Sequence, residues 1–162
     1  MINIIEIKTT EHVDRVRDLF REYEEYLDVD ICFQDFEQEL KDLPGPYAPP
    51  DGCLLLAMEG NKEVGCVAVR PLRDDICEMK RLFVRPEYHG RGYGRLLVEE
   101  IIRRAENIGY RTMRLDTLTR LKQAMRLYES FGFREIEPYY DNPMTDVVYW
   151  ELEIGGHGKG EV

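Results

Sequence analysis

Serine is almost absent from this chain. Ser130 is the only one in 162 residues, and no G-x-S-x-G surrounds it, which argues against a serine hydrolase. The three histidines, His12, His89 and His157, stand far apart. The four cysteines, Cys32, Cys53, Cys66 and Cys77, form no C-x-x-C pair. Neither set has the spacing of a zinc site, so no metal is expected. No cysteine has a histidine near it in sequence, so nothing suggests a covalent acyl-cysteine route. No apolar run approaches the ~20 residues that span a bilayer. The opening Met1-Ile2-Asn3-Ile4-Ile5-Glu6 lacks a basic segment leading into a long apolar one. The expectation is a soluble, cytoplasmic protein with reduced thiols. Basic residues are outnumbered, 22 against 32 acidic, for a net charge of −10. Such a surface repels nucleic acid and anionic membranes and attracts cations, so neither of those partners is expected, whereas a cationic amine is.

What is present reads as one domain over residues 1–154, followed by a mobile tail at 155–162. Ile2 to Ile7 is β-prone. Thr9 or Thr10 suits a helix N-cap, and Val13, Val16, Leu19, Phe20, Tyr23 and Leu27 follow at helical spacing. A second short helix is expected over Asp35 to Leu43, ended by a proline-rich stretch from Pro44 to Gly52 without regular structure. Cys53–Met58, Val64–Arg70 and Ile76–Val84 arrive in quick succession and predict an antiparallel meander. A helix to Ile108, a strand from Thr112 to Leu118, a helix around Leu121 to Phe131 and two last strands complete the order. The composite is α/β, with a mixed, mostly antiparallel central sheet and helices on both faces.

The informative stretch is Val84-Arg85-Pro86-Glu87-Tyr88-His89-Gly90-Arg91-Gly92-Tyr93-Gly94-Arg95. A strand ends at Pro86, glycines follow at every second position, and an amphipathic run begins. A helix start leaves about four N–H groups without internal partners and carries roughly half a positive charge. Glycine lets an anion approach them, so phosphate is the expected ligand, with Arg91 and Arg95 suited to clamping it. By itself the turn could serve a nucleotide, a coenzyme or nothing. The Rossmann pattern needs G-x-G-x-x-G after an early parallel strand, and the Walker loop needs Gly-Lys-Ser/Thr; neither is here.

Two segments carry a resemblance. Leu82 to Gly94 closely resembles motif A of the Gcn5-related N-acetyltransferase (GNAT) superfamily, written Q/R-x-x-G-x-G/A, with Gly92 and Gly94 on its glycines and His89 in place of Q/R. Ala124-Met125-Arg126-Leu127-Tyr128-Glu129-Ser130-Phe131-Gly132-Phe133 resembles the family's A-x-x-L-Y-x-x-x-G-F segment, with Leu121 where an asparagine is common. The resemblance implies acetyl-coenzyme A as co-substrate and direct transfer to a primary amine in a ternary complex. It places the pyrophosphate on the amides of His89, Gly90, Arg91, Gly92, Tyr93, Gly94 and Arg95. The pantetheine arm would lie along Leu82, Phe83 and Val84, with the Leu82 N–H polarising the thioester carbonyl. Tyr128 matches the family's general acid. Glu78 is the candidate base, expected to share a strand face with Leu82 and to be a better base if burial raises its pKa; Asp116 is a second candidate. Tyr139, Tyr140, Asp141 and Asn142, with Tyr47, are candidates for the acceptor wall. The alternative is a non-catalytic acyl-coenzyme A sensing module. Dimers are common in the family, which admits a homodimer here.

Overall fold

A computed structural model describes residues 2–27 and 35–155. Its elements run β1 (Ile2–Glu6), α1 (Thr10–Leu27), α2 (Phe36–Asp42), β2 (Cys53–Glu59), β3 (Lys62–Arg73), β4 (Ile76–Val84), α3 (Tyr93–Ile108), β5 (Thr112–Leu118), α4 (Lys122–Ser130), β6 (Arg134–Ile136) and β7 (Val147–Glu153). Cys32 and the tail beyond Gly155 lie outside the described residues. Gly155 itself, assigned to the tail by sequence, is buried and donates its N–H to the Arg111 carbonyl at 3.3 Å.

Local chemistry accounts for the starts and stops. The Thr9 hydroxyl accepts the His12 N–H at 3.1 Å and caps α1. Gly109 ends α3 by donating to Ala105 and Glu106. The proline-rich stretch does more than expected, because a 3₁₀ turn at Gly45–Tyr47 seats Tyr47 in the core at 1% exposure.

The seven strands form one sheet in the order β1-β2-β3-β4-β5-β7-β6. Every neighbouring pair is antiparallel except β4 with β5. Strand β2 is apolar from Cys53 to Met58, and both faces of its buried part are covered. Leu54 and Leu56 pack with Val16, Leu19 and Phe20 of α1 on one face. Cys53, Leu55 and Ala57 pack with Leu97, Val98 and Ile101 of α3 on the other.

Two irregularities in the middle of the sheet create the site. First, β4 and β5 pair only from Ile76↔Thr112 to Glu78↔Arg114 and then part. Each keeps its other neighbour, so a gap opens inside the sheet and leaves strand edges free to take an extended ligand. Second, β4 bulges. Lys80 pairs with Ala68 and Phe83 with Cys66, so Arg81 and Leu82 together oppose Val67. Arg81 has φ +61°, a left-handed conformation that is uncommon outside glycine.

The bulge corrects one expectation. Cys77 and Met79 face α3, and so do Leu82 and Val84, while Phe83 faces α1. Alternation along β4 therefore changes phase at Arg81, and Glu78 does not share a face with Leu82.

Candidate active site

The donor side begins at the glycine turn. Gly90 and Gly92 both have φ +83° with open space around them, so glycine is needed for the backbone conformation and not for room. Helix α3 starts at Tyr93, and its first bond runs from Leu96 N–H to Gly92 O at 3.2 Å. The amides of Tyr93, Gly94 and Arg95 thus have no partner inside the helix, and no side chain caps it. They open onto a cleft of about 510 Å³ that continues along Leu82, Phe83 and Val84.

All the coenzyme residues expected from sequence line this cleft except Arg91. Its guanidinium instead lies 4.9 Å over the Tyr88 ring and 3.7 Å from Glu59. His89, the departure from the family motif, donates from Nε2 to the Val84 carbonyl at 2.7 Å and ties the turn to the end of β4. Sequence reading missed Arg120 and Lys122, which line the cleft from the start of α4. Cations at a helix N-terminus oppose the helix dipole, and that was the available signal for an anion opposite them.

The cleft runs into a slot of about 100 Å³ in the gap between β4 and β5. Leu82, Tyr23 and Leu121 line both spaces. Tyr128 lines the slot at 6% exposure. Burial, reinforced by Tyr23 and Asp116 nearby, pushes its phenol well above the ordinary value of 10, so the proton stays on the oxygen and is available to donate. Asp116 lines the same slot.

Beyond Lys80 and Arg81, which line both, lies a third space of about 280 Å³ bounded by Arg70, Glu78, Tyr139, Tyr140 and Asp141. Tyr47 does not reach it; that side chain packs edge-on to Phe20 and donates to Glu39 at 2.9 Å. Glu78 is 1% exposed. Its Oε1 accepts Arg70 at 2.9 Å and its Oε2 accepts the Tyr139 hydroxyl at 2.7 Å. Burial pushes the carboxyl up, but Lys80, Arg70 and Tyr139 outweigh it and hold the pKa below the usual carboxylate value. That reverses the expected direction. Lys80 is pushed down, by burial first and then by Arg81.

A cleft for a phosphate-bearing arm thus opens onto a protonated tyrosine in a split sheet. The acetyltransferase (GNAT) family model matches residues 13–133, spanning the cleft, the slot and Tyr128. This chain belongs to the GNAT family. It is 46% identical over 155 residues to an uncharacterized N-acetyltransferase of Schizosaccharomyces pombe, covering 94% of this chain and 95% of that one. An uncharacterized N-acetyltransferase of Dictyostelium discoideum is 32% identical, covering 91% and 97%. Among solved structures, a GNAT acetyltransferase of Staphylococcus aureus superposes with TM-score 0.79 at 20% identity, covering 95% and 99%.

Family membership and these relatives make the protein an N-acetyltransferase with acetyl-coenzyme A as co-substrate, not a non-catalytic sensing module. The GNAT cleft fits that co-substrate: free helix amides with Arg95, Arg120 and Lys122 suit its phosphates, and the open edge of β4 suits its pantetheine arm.

Proposed function

We propose that the protein transfers the acetyl group directly to a primary amine held in the 280 Å³ pocket, with Tyr128 protonating the departing thiolate. The carrying observation is continuity. Donor cleft and slot share Leu82, and slot and pocket share Lys80 and Arg81, so both substrates can be held at once and no covalent enzyme intermediate is needed. The phenol stays protonated at neutral pH, and the proton it gives to sulfur is replaced by one leaving nitrogen in the same reaction.

The acceptor is a small amine, or the lysine or N-terminal amine of a peptide, arriving as an ammonium ion. The pocket's size and Asp141 on its wall beside Tyr139 and Tyr140 support this. A cytoplasmic location belongs to the same reading. Cys53, Cys66 and Cys77 are free and buried, as in a reducing compartment, and among the described residues no helix is long and apolar enough to cross a membrane. A homodimer is included by family precedent and is checked by light scattering.

The test is thiol release from acetyl-coenzyme A against a panel of alkylamines, amino acids and lysine-containing peptides. Saturable release with at least one amine, with initial rates that give intersecting double-reciprocal lines, is expected. Parallel lines, the mark of a covalent intermediate, would overturn direct transfer.

A further inference from the structure

Resting on direct transfer to an amine, we propose that Asp116, and not Glu78, meets the acceptor's ammonium and takes its proton. Position is the first ground. Asp116 lines the slot together with Tyr128 and Leu82, whereas Glu78 lines only the adjoining pocket. An amine must come within about 3.5 Å of the thioester carbon to react, so its proton acceptor belongs in the slot.

Free capacity is the second ground. Glu78 is buried, and each of its oxygens already accepts a hydrogen bond, one from Arg70 and one from Tyr139. Asp116 is half-buried. Its Oδ2 accepts the Tyr140 hydroxyl at 2.7 Å, and among the described residues its Oδ1 accepts nothing. A carboxylate has about four acceptor positions, so Asp116 keeps room for an ammonium.

Orientation is the third. Asn142 donates to the Tyr140 oxygen at 3.0 Å, and its own carbonyl accepts the Met144 N–H at 2.9 Å. That chain of bonds pins the loop after β6 against β5 and fixes the face of Asp116 turned to Tyr140. The charged and titratable groups that share the slot with the carboxylate are Lys80 and Arg81 of β4, Tyr23 of α1 and Tyr128 of α4; Tyr140 of the loop bonds it, and Tyr149 of β7 is its register partner.

The proton balance closes. The ammonium N–H breaks and its proton goes to Asp116 Oδ1. The freed nitrogen pair forms the C–N bond, and the C–S bond breaks with its electron pair on sulfur, which takes the Tyr128 proton. The second proton leaving nitrogen restores Tyr128, and Asp116 gives its proton to solvent. Ammonium and thioester become amide, thiol and one released proton. Glu78 then serves to position Arg70 and Tyr139.

The experiment compares Asp116→Asn with Glu78→Gln, using the fastest amine of the panel. Asp116→Asn is expected to lower kcat about 10²- to 10⁴-fold near neutral pH, the usual contribution of a proton-transfer group. Its kcat should then climb about tenfold per pH unit as solvent deprotonates the amine, with affinity for coenzyme A unchanged. Glu78→Gln is expected to keep the wild-type pH profile and to change mainly KM for the amine. Retained coenzyme A binding confirms that each variant is folded; should Asp116→Asn fail that check, Asp116→Glu replaces it and is expected to keep a measurable share of activity that Asp116→Ala lacks. Wild-type kcat and pH profile in Asp116→Asn overturn the assignment alone. An absence of thiol release by the wild type with every amine overturns the assignment and the transfer reading together.

Discussion

Arg81 holds Glu39 with two charge-assisted hydrogen bonds, Nε to Oε2 at 3.0 Å and Nη2 to Oε1 at 2.8 Å. The pair joins the bulge of β4 to α2 and is nearly closed to water, at 3% and 11% side-chain exposure. Removing one partner leaves a buried charge uncompensated. Glu39→Ala is therefore expected to cost about 3–5 kcal/mol in urea unfolding. Glu25→Ala, on the exposed side of α1, should stay within about 0.5 kcal/mol of wild type. Equal midpoints for the two variants would show that the pair contributes no stability.

Acid should expose the same pair. Burial pushes the Glu39 carboxyl up, but Arg81 and Tyr47 outweigh it, and Glu78 is likewise held low. Both folded values lie below the ordinary 4.5. As pH falls the unfolded chain binds protons first, so this stability is complete above about pH 4.5 and is lost as pH drops through the folded values. Urea midpoints measured stepwise from about pH 6 to 3 should decline below that point, and less steeply in Glu39→Gln. An unchanged slope in that variant would place the acid sensitivity elsewhere.

The helix amides make a claim about the coenzyme. Gly92→Glu puts a carboxylate and a strained φ where the pyrophosphate belongs, so coenzyme A binding should be lost while the fold survives. Wild type at ~100 times Kd should gain about 2.7 kcal/mol of stability from the ligand, and the variant none. Calorimetry reads both, and retained affinity would refute the site.

Arg120 and Lys122 supply charge without touching the slot. Replacing either by alanine should raise KM for acetyl-coenzyme A several-fold and leave kcat alone. The effect should shrink as salt rises, since screening acts over about 8–10 Å at 0.1–0.15 M. A salt-independent change would mean packing and not attraction.

Tyr128→Phe keeps the ring in the core and removes only the hydroxyl proposed as the acid. Thiol release should slow about 10²- to 10⁴-fold with coenzyme affinity intact. Unchanged turnover would remove Tyr128 from the chemistry.

Much of this was legible in sequence because it is local. Gly90 and Gly92 announce a positive-φ turn, Thr9 a cap, and the strand Ile76–Val84 its own limits. The bulge was not legible. Arginine disfavours a left-handed backbone, and the groups that hold Arg81 there are distant in the chain: Glu39, with Tyr47 bonded to it, Phe36 under the guanidinium and Cys66 on the carbonyl. Simple alternation therefore assigned Glu78 to the wrong face. Its low pKa was hidden for the same reason, since Arg70 and Tyr139 reach it only across the folded sheet. Arg91 looked like a phosphate clamp because sequence cannot show that Tyr88 and Glu59 hold its side chain elsewhere.

The phase change at Arg81 also bears on how such an enzyme can diversify. Residues before it, Glu78 and Lys80, line the pocket proposed for the acceptor, and residues after it, Leu82 to Val84, line the cleft that suits the coenzyme. The 139–144 loop touches the first group and lies away from the glycine turn. Mutations that retune the acceptor can thus accumulate on Glu78, Lys80 and that loop while the donor half of the same strand stays fixed. A library confined to those positions should shift amine preference and leave acetyl-coenzyme A use as it was.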